Sequence, residues 1–144
     1  MNIGKLTSLT VAGEAALQLA WDDGRTARVD LSAVIAGRAA LAPLGVPAEF
    51  GAAALSADGW SVEWPCAVDF GSVQLRRWAD EQIGITMPAA AFKAWVAAHG
   101  FTLDRTADAL GLSRRTVAYY LSGEQPVPKT VMLATLGYDR QDAA

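Results

Sequence analysis

Residues 100–123 read GFTLDRTADALGLSRRTVAYYLSG, and they predict two short helices joined by a glycine turn. Thr102 suits the N-cap of a first helix over residues 103–110, and Ser113 suits the N-cap of a second helix. Gly111 permits the left-handed backbone that lets the chain turn between the helices within about three residues. The rest of the chain is best understood outward from this stretch.

The apolar residues of this stretch have the spacing of two helices that cross near a right angle. Leu103 and Ala107 lie on one face of the first helix, and Val117 lies on the inner face of the second. Alanine at 107 allows close approach of the two helices, glycine follows four residues later, and Val117 follows six after that. This spacing is typical of the helix-turn-helix, with Thr106 standing where an apolar residue is usual.

The outer face of the second helix is polar and basic. In a helix-turn-helix this face enters the DNA major groove, where an arginine can donate two hydrogen bonds to guanine, worth about 1–3 kcal/mol of discrimination. The alternative is an αα-hairpin in a small bundle with merely solvated arginines. The residues predicted to lie nearest the base edges or flanking phosphates are Ser113, Arg114, Arg115, Ala118 and Tyr119. The residues predicted to hold the DNA backbone are Thr102, Ser122 and Lys129.

Residues 89–138 resemble the lambda-repressor-like helix-turn-helix domains of bacterial regulators, the Xre type. The resemblance rests on the GLSRRTV turn and helix, on Gly123 after it, and on two prolines before a helix over residues 129–136. Asp104 departs from the pattern, because these domains often place glutamine there against a phosphate that a carboxylate would repel. The domain also lacks a broad basic face, so we expect modest affinity.

The first part of the chain predicts an antiparallel meander with a helix. Strands over residues 15–21 and 26–30 flank the turn signal Asp22-Asp23-Gly24, and a further strand over 60–64 places Trp60, Val62 and Trp64 on one face. Ser72 suits the N-cap of a helix that ends near residue 83. The remaining expectations are a first strand over 5–12, helical turns over 31–35 and 47–50, and an exposed helix face formed by Arg76, Arg77, Asp80 and Glu81.

This part resembles the bacterial domain-of-unknown-function family numbered 2442 over about residues 5–82. The resemblance is carried by WDDGR at 21–25, VDLS at 29–32, Phe50, and Trp64-Pro65 followed by Val68-Asp69. It implies a small α+β domain with no established activity, and some members carry a C-terminal helix-turn-helix. Cys66-Ala67 stands where family members often have glycine or asparagine after the Trp-Pro.

Together these patterns predict two domains. Residues 1–84 form an α+β domain, and residues 85–144 form an all-α helix-turn-helix domain. The net charge of −3 is unevenly divided: residues 1–87 hold 6 basic and 10 acidic residues, and residues 88–144 hold 6 basic and 5 acidic. The resulting −4 and +1 argue mildly against non-specific binding to nucleic acid.

The sequence predicts neither a catalytic site nor a metal or cofactor site. Cys66 and His99 are the single cysteine and the single histidine, which together are too few for a structural zinc site. Aspartates at 22, 23, 30 and 69 form a possible acidic cluster, but turn and capping roles are commoner for such residues. With no signal peptide and no membrane span apparent, a cytoplasmic protein is expected.

The function that these features favour is sequence-specific DNA binding by a bacterial transcriptional regulator without catalysis. Such regulators bind double-stranded DNA as symmetric dimers on half-sites about one helical turn apart. The N-terminal domain would then supply dimer contacts or bind a protein partner. The alternative is a non-catalytic interaction module, such as the antitoxin-like partner of a small toxin, and an enzyme in the N-terminal domain is the third hypothesis.

Overall fold

The computed structural model describes residues 4–143. They fall into two compact units, a first that extends to Gln82 and a second that begins at Ile83. This division lies two residues before the boundary expected from the sequence. No helix among the described residues is sufficiently long and apolar to span a bilayer.

The first unit begins with a three-stranded antiparallel meander, in which β2 lies between its two sequence neighbours. Leu17, Leu19 and Trp21 alternate along β2 and are all buried, as the period of two predicts. At the following turn Gly24 has a φ of 87°, and the Asp23 carboxylate accepts a hydrogen bond from the Arg25 amide. The predicted meander is therefore confirmed. The strands are β1 (Leu6–Val11), β2 (Ala16–Trp21) and β3 (Thr26–Asp30).

A second antiparallel sheet and several short helices complete this unit. The helical turn at Pro47–Phe50 forms as predicted, and the Asp58 carboxylate accepts a hydrogen bond from the Trp60 amide in the turn before the strand at Ser61–Glu63. The strand at Asp69–Gly71 was not predicted, and Asp69 pairs across the sheet with Glu63 instead of capping a turn. The elements are α1 (Ser32–Ala36), a 3-10 helix (Ala39–Gly45), α2 (Pro47–Phe50), β4 (Ala54–Leu55), β5 (Ser61–Glu63), β6 (Asp69–Gly71) and α3 (Ser72–Gln82).

Two buried tryptophans of the first unit donate hydrogen bonds from their indole rings to backbone carbonyls. The Trp21 indole donates a hydrogen bond to the Ser72 carbonyl at 3.1 Å, and the Trp64 indole donates to the Phe50 carbonyl at 2.9 Å. Burying each indole with its N–H satisfied avoids the penalty of an unpaired buried donor. Trp60 was expected to share a face with Val62 and Trp64, but it precedes β5 and is 49% exposed, whereas the other two are buried.

Arg76 corrects the prediction of a solvated face on α3. Its side chain is buried and donates two hydrogen bonds to the Asp23 carboxylate, at 2.8 and 3.2 Å. The guanidinium carbon also lies 5.1 Å from the Trp21 ring centroid. The hydrogen bonds from Arg76 are the main reason that the pKa of Asp23 is lowered. Asp80 pairs with Arg25 at 2.7 Å and lies 4.0 Å from Arg76, so Arg25 is its nearer partner.

The second unit is helical apart from one short ladder. Met87 pairs with Val127 and Thr86 with Pro128, so the expectation of an all-α domain is wrong in this detail. A proline disfavours helical backbone at the residue before it, and this keeps both paired segments out of the neighbouring helices. The elements are β7 (Thr86–Met87), α4 (Ala89–His99), α5 (Leu103–Leu110), α6 (Arg114–Ser122), β8 (Val127–Pro128) and α7 (Lys129–Ala143).

The last helix is longer than the sequence indicated. It was expected to end at residue 136, before Gly137, but it continues to Ala143. Glycine costs about 1 kcal/mol in a helix interior, and contacts beyond it offset this cost. Tyr138 packs edge-on against Trp95, with 5.8 Å between the ring centroids, and Asp139 accepts a hydrogen bond from the same tryptophan.

Candidate nucleic-acid interface

The candidate interface is built on α5, a short turn and α6, and its local signals behave as predicted. The Thr102 hydroxyl accepts a hydrogen bond from the Arg105 amide at 3.1 Å, which makes it the N-cap of α5. Ser113 accepts from the Thr116 amide at 3.1 Å and caps α6 in the same way. Between the helices Gly111 has a φ of 69°, the left-handed conformation that glycine adopts without strain.

The inner faces of these helices pack into the core of the second unit. Val117 is fully buried, and Ala107 and Tyr120 are nearly so. Burial raises the pKa of the Tyr120 hydroxyl. Thr106, which stands where an apolar residue was expected, is also fully buried. Its hydroxyl donates to the Thr102 carbonyl at 2.9 Å, so the polar group is satisfied and the packing position is preserved.

The outer face of α6 presents a positioned arginine. Arg115 and Ala118 are exposed, and Tyr119 is half-buried beside them. The Arg115 Nε donates to the Tyr119 hydroxyl at 2.7 Å, and the guanidinium carbon lies 5.4 Å from the ring centroid. This i,i+4 pair holds the guanidinium against the Tyr119 side chain on the helix surface. A planar donor pair fixed in this way is suited to bidentate recognition.

Arg114 has a partner that the sequence did not predict. Its Nε lies 3.4 Å from the Asp104 carboxylate, and the two side chains are 69% and 75% exposed. Asp104 was expected to repel a phosphate near the start of α5, and here it faces an arginine of the neighbouring helix. An exposed pair of this kind stabilises by at most about 1 kcal/mol, so a stronger anion can displace the carboxylate.

The remaining predicted residues are three with hydroxyl side chains and one lysine. Ser122 donates to the Tyr119 carbonyl at 3.1 Å, and Ser113 donates to the Thr116 hydroxyl at 2.8 Å. Thr102 uses its oxygen as an acceptor, so its hydroxyl proton is available to a ligand. Lys129 is exposed at the start of α7, and among residues 4–143 no hydrogen bond or ion pair joins it to α6.

An aromatic and acidic cluster that no local sequence pattern predicted joins α4 to α7. The Asp139 carboxylate accepts hydrogen bonds from His99 at 2.7 Å and from Trp95 at 2.9 Å. The bond from His99, followed by that from Trp95, lowers the pKa of Asp139. Arg105 of α5 donates to the Tyr138 hydroxyl at 3.3 Å, which connects α5 to the same cluster. The closest polar partner of His99 is this carboxylate on α7.

Two of the four acidic residues considered for a metal site have other side-chain or backbone partners. Asp23 binds Arg76, and Asp30 accepts hydrogen bonds from the Ser32 amide and hydroxyl. These bonds from Ser32 lower the pKa of Asp30. Among residues 4–143 no three histidine, cysteine or acidic side chains come together as a metal site. Cys66 is half-buried against the core of the first unit.

Comparison with known proteins gives one family and one solved structure. The family described as "Protein of unknown function (DUF2442)" matches residues 6–81, which end within α3. The chain is also similar to a crystal structure from Nitrosomonas europaea, described as that of a "putative DNA binding protein". The two are 32% identical over 96% of this chain and 90% of the other, with a TM-score of 0.56. No curated protein matches the sequence.

Proposed function

This chain belongs to the DUF2442 family of proteins of unknown function, and we propose that it binds double-stranded DNA through α5 and α6. The observation that carries the proposal is the exposed arginine pair at the start of α6, with Arg115 held by Tyr119 at 2.7 Å. The capped helices and the left-handed Gly111 support a helix-turn-helix of the lambda-repressor-like type. The description of the Nitrosomonas relative as a "putative DNA binding protein" agrees with this proposal.

In the proposed complex α6 lies in the major groove. Arg115 donates two hydrogen bonds to a guanine edge, and exposed Ala118 can contact a thymine methyl group. Arg114 exchanges Asp104 for a phosphate or a base edge. The amides at the start of α5, the Thr102 hydroxyl and Lys129 hold the sugar-phosphate backbone and set the register of the protein on the duplex.

The proposed biological role is sequence-specific regulation of transcription without catalysis. The helix α6 is 9 residues long, and Arg114 and Arg115 are its basic residues. A few base contacts from one copy give limited discrimination, since each good bidentate pair contributes about 1–3 kcal/mol. Two copies on a palindromic site double the number of contacts, so we propose that the protein acts as a dimer.

The first test separates base recognition from simple charge attraction at Arg115. A duplex is selected from random sequence with the full chain, and binding to it and to a scrambled duplex is measured by fluorescence anisotropy. Arg115→Ala should weaken the selected duplex at least about tenfold, and Arg115→Lys should lose most of the preference while retaining the charge. Arg28→Ala is the matched control, because it removes one exposed arginine from the first unit.

Asp104→Asn should change affinity in the opposite direction. It removes a carboxylate beside Arg114 with little change in shape, so both duplexes should bind several-fold more tightly.

Wild-type affinity and preference in both Arg115 variants, with an unchanged circular dichroism spectrum, would contradict the proposed role of α6. Binding that is absent even at low salt would favour the protein-interaction alternative.

A further inference from the structure

A shallow depression lies where the end of α6 meets the beginning of α4. It is lined by six residues: Ala89, Ala90 and Lys93 of α4, Leu121 and Ser122 of α6, and Gly123 after it. The two alanines have small side chains, so the depression stays open to solvent beside the lysine. Lys93 therefore shares a surface with Ser122, which is predicted to hold the DNA backbone.

Helix packing fixes the position of Lys93. The residue before it, Phe92, is fully buried and lies edge-on to Tyr120 of α6, with 5.7 Å between the ring centroids. Val96, almost one turn further along α4, is also buried, so these two residues face the core while Lys93 is exposed. The backbone at residue 93 is thus held beside the end of α6, and the flexible lysine side chain is long enough to reach a ligand there.

The Lys93 ammonium group differs from the neighbouring arginines in having no acidic partner. Among residues 4–143, no hydrogen bond or ion pair involves it. Arg105, by contrast, lies 3.6 Å from the Asp108 carboxylate. Arg114 lies 3.4 Å from that of Asp104. A phosphate must displace a carboxylate from either arginine, whereas Lys93 offers a compact point charge that is already available.

We propose that Lys93 binds a backbone phosphate of double-stranded DNA at the end of α6. This inference deepens the proposed function and rests on it. In the proposed complex, Arg114 meets a phosphate or a base edge at the start of α6. A charged contact at one end alone would leave the helix free to tilt in the groove, because phosphate contacts fix the orientation of a protein on the duplex. Lys93 supplies an attractive charge at the other end, where the Ser122 hydroxyl is uncharged.

Removal of the Lys93 charge should weaken binding to every sequence alike. Binding of the full chain to the selected and the scrambled duplex is measured by fluorescence anisotropy over a salt series, for the wild type and Lys93→Gln. Both affinities should fall several-fold by the same factor. The slope of the logarithm of the association constant against the logarithm of salt concentration should become shallower by about 1.

Two further substitutions serve as controls for this measurement. Lys93→Arg keeps the charge and should keep the slope of the wild type. Lys5→Gln removes an exposed lysine from the first unit and changes the net charge equally, so it should leave affinity and slope unchanged. Circular dichroism confirms the fold of each variant.

A second variant places an opposing charge in the depression without loss of helix stability. Ala90 is exposed in the first turn of α4, where the helix dipole favours a carboxylate. Ala90→Glu should therefore leave the midpoint of thermal unfolding unchanged or raised, while affinity for both duplexes falls several-fold through repulsion of the phosphate. Ala90→Gln has nearly the same shape without the charge and should bind like the wild type.

The outcomes separate this inference from the proposed function. Wild-type affinity and slope in Lys93→Gln, with DNA binding by the wild type intact, overturn the inference and leave the proposed function standing. Loss of the preference between duplexes in Lys93→Gln overturns it too, because a phosphate contact carries no sequence information. Equal binding by Ala90→Glu and Ala90→Gln shows that the depression lies away from DNA and likewise overturns it. If the wild type binds neither duplex at low salt, both proposals fail together.

Discussion

Ala67 is a single residue held in an unfavourable conformation. Among residues 4–143 it is the one residue other than glycine with a positive φ, at 65°. Its amide donates to the Trp64 carbonyl at 3.1 Å, and the Trp64 amide donates to the Val68 carbonyl at 2.9 Å, so both bonds fix the turn. A side chain in the left-handed region costs about 1–2 kcal/mol, which the packing of Trp64 below the turn offsets.

Ala67→Gly should therefore stabilise the first unit. Relief of the left-handed strain outweighs the greater entropy of glycine in the unfolded chain, which costs about 0.4–1 kcal/mol, and leaves a net gain of up to about 1 kcal/mol. Urea denaturation measures the free energy of unfolding. Ala57→Gly is the control, because Ala57 is exposed and lacks a positive φ, and it should destabilise by roughly 0.5 kcal/mol. Equal shifts of the same sign in both variants would contradict the strain at Ala67.

At the residue scale, contacts between residues close together in the sequence were predicted, and contacts between residues far apart in the sequence were not. Thr102 and Ser113 were identified as caps because their partners lie three residues away. Arg76 was misassigned because its partner, Asp23, lies 53 residues away, and helix spacing alone placed it toward solvent. The Asp104–Arg114 pair was missed for the same reason, since it joins side chains on two different helices.

At the scale of elements, α4 and α7 are joined by a carboxylate that must be ionised. Asp139 accepts hydrogen bonds from His99 and Trp95, and these bonds lower its pKa in the folded state below the usual value. A carboxyl with a lowered folded pKa contributes stability that is present above its unfolded pKa of about 3.9. That stability is lost as the pH falls through the folded pKa. The contact between the two helices should therefore weaken below about pH 4.

Asp139→Asn tests this contribution. The variant should be less stable than the wild type near neutral pH and should lose less stability on acidification, because the amide does not titrate. Thermal unfolding followed by circular dichroism at neutral pH and below about pH 4 measures both effects. Asp142→Asn removes an exposed carboxylate from the same helix and should resemble the wild type. A pH dependence of Asp139→Asn identical to the wild type would show that the carboxylate contributes nothing.

The elements that the sequence predicted best are those with complete local signals. The meander, α5 and α6 have alternation, turn glycines and caps within a few residues. Three features were not predicted, because each depends on partners that no local sequence pattern indicates. They are the strand β6, the β7–β8 ladder and the last turns of α7. In α7, Gly137 indicated an end, whereas the packing of Tyr138 and Asp139 carries the helix past it.

At the scale of the whole molecule, charge separates the two parts of the chain. Residues 1–87 carry −4 and residues 88–144 carry +1. A chain with this balance gains little from long-range attraction to DNA, so the proposed affinity must come from a few close contacts on α6. A sequence-selective protein with modest non-specific binding is the result that this distribution favours. In the proposed complex, Arg114, Arg115 and Lys129 would account for most of the salt dependence of binding.

The salt dependence of DNA binding tests the central proposal most directly. Affinity for the selected duplex is measured by fluorescence anisotropy at several salt concentrations, for the wild type and for Arg114→Ala. We expect the logarithm of the association constant to fall linearly with the logarithm of salt concentration, with a slope shallower by about 1 in the variant if Arg114 neutralises a phosphate. Undetectable binding at low salt, or the same affinity and slope in Arg114→Ala as in the wild type, would contradict DNA binding through the outer face of α6.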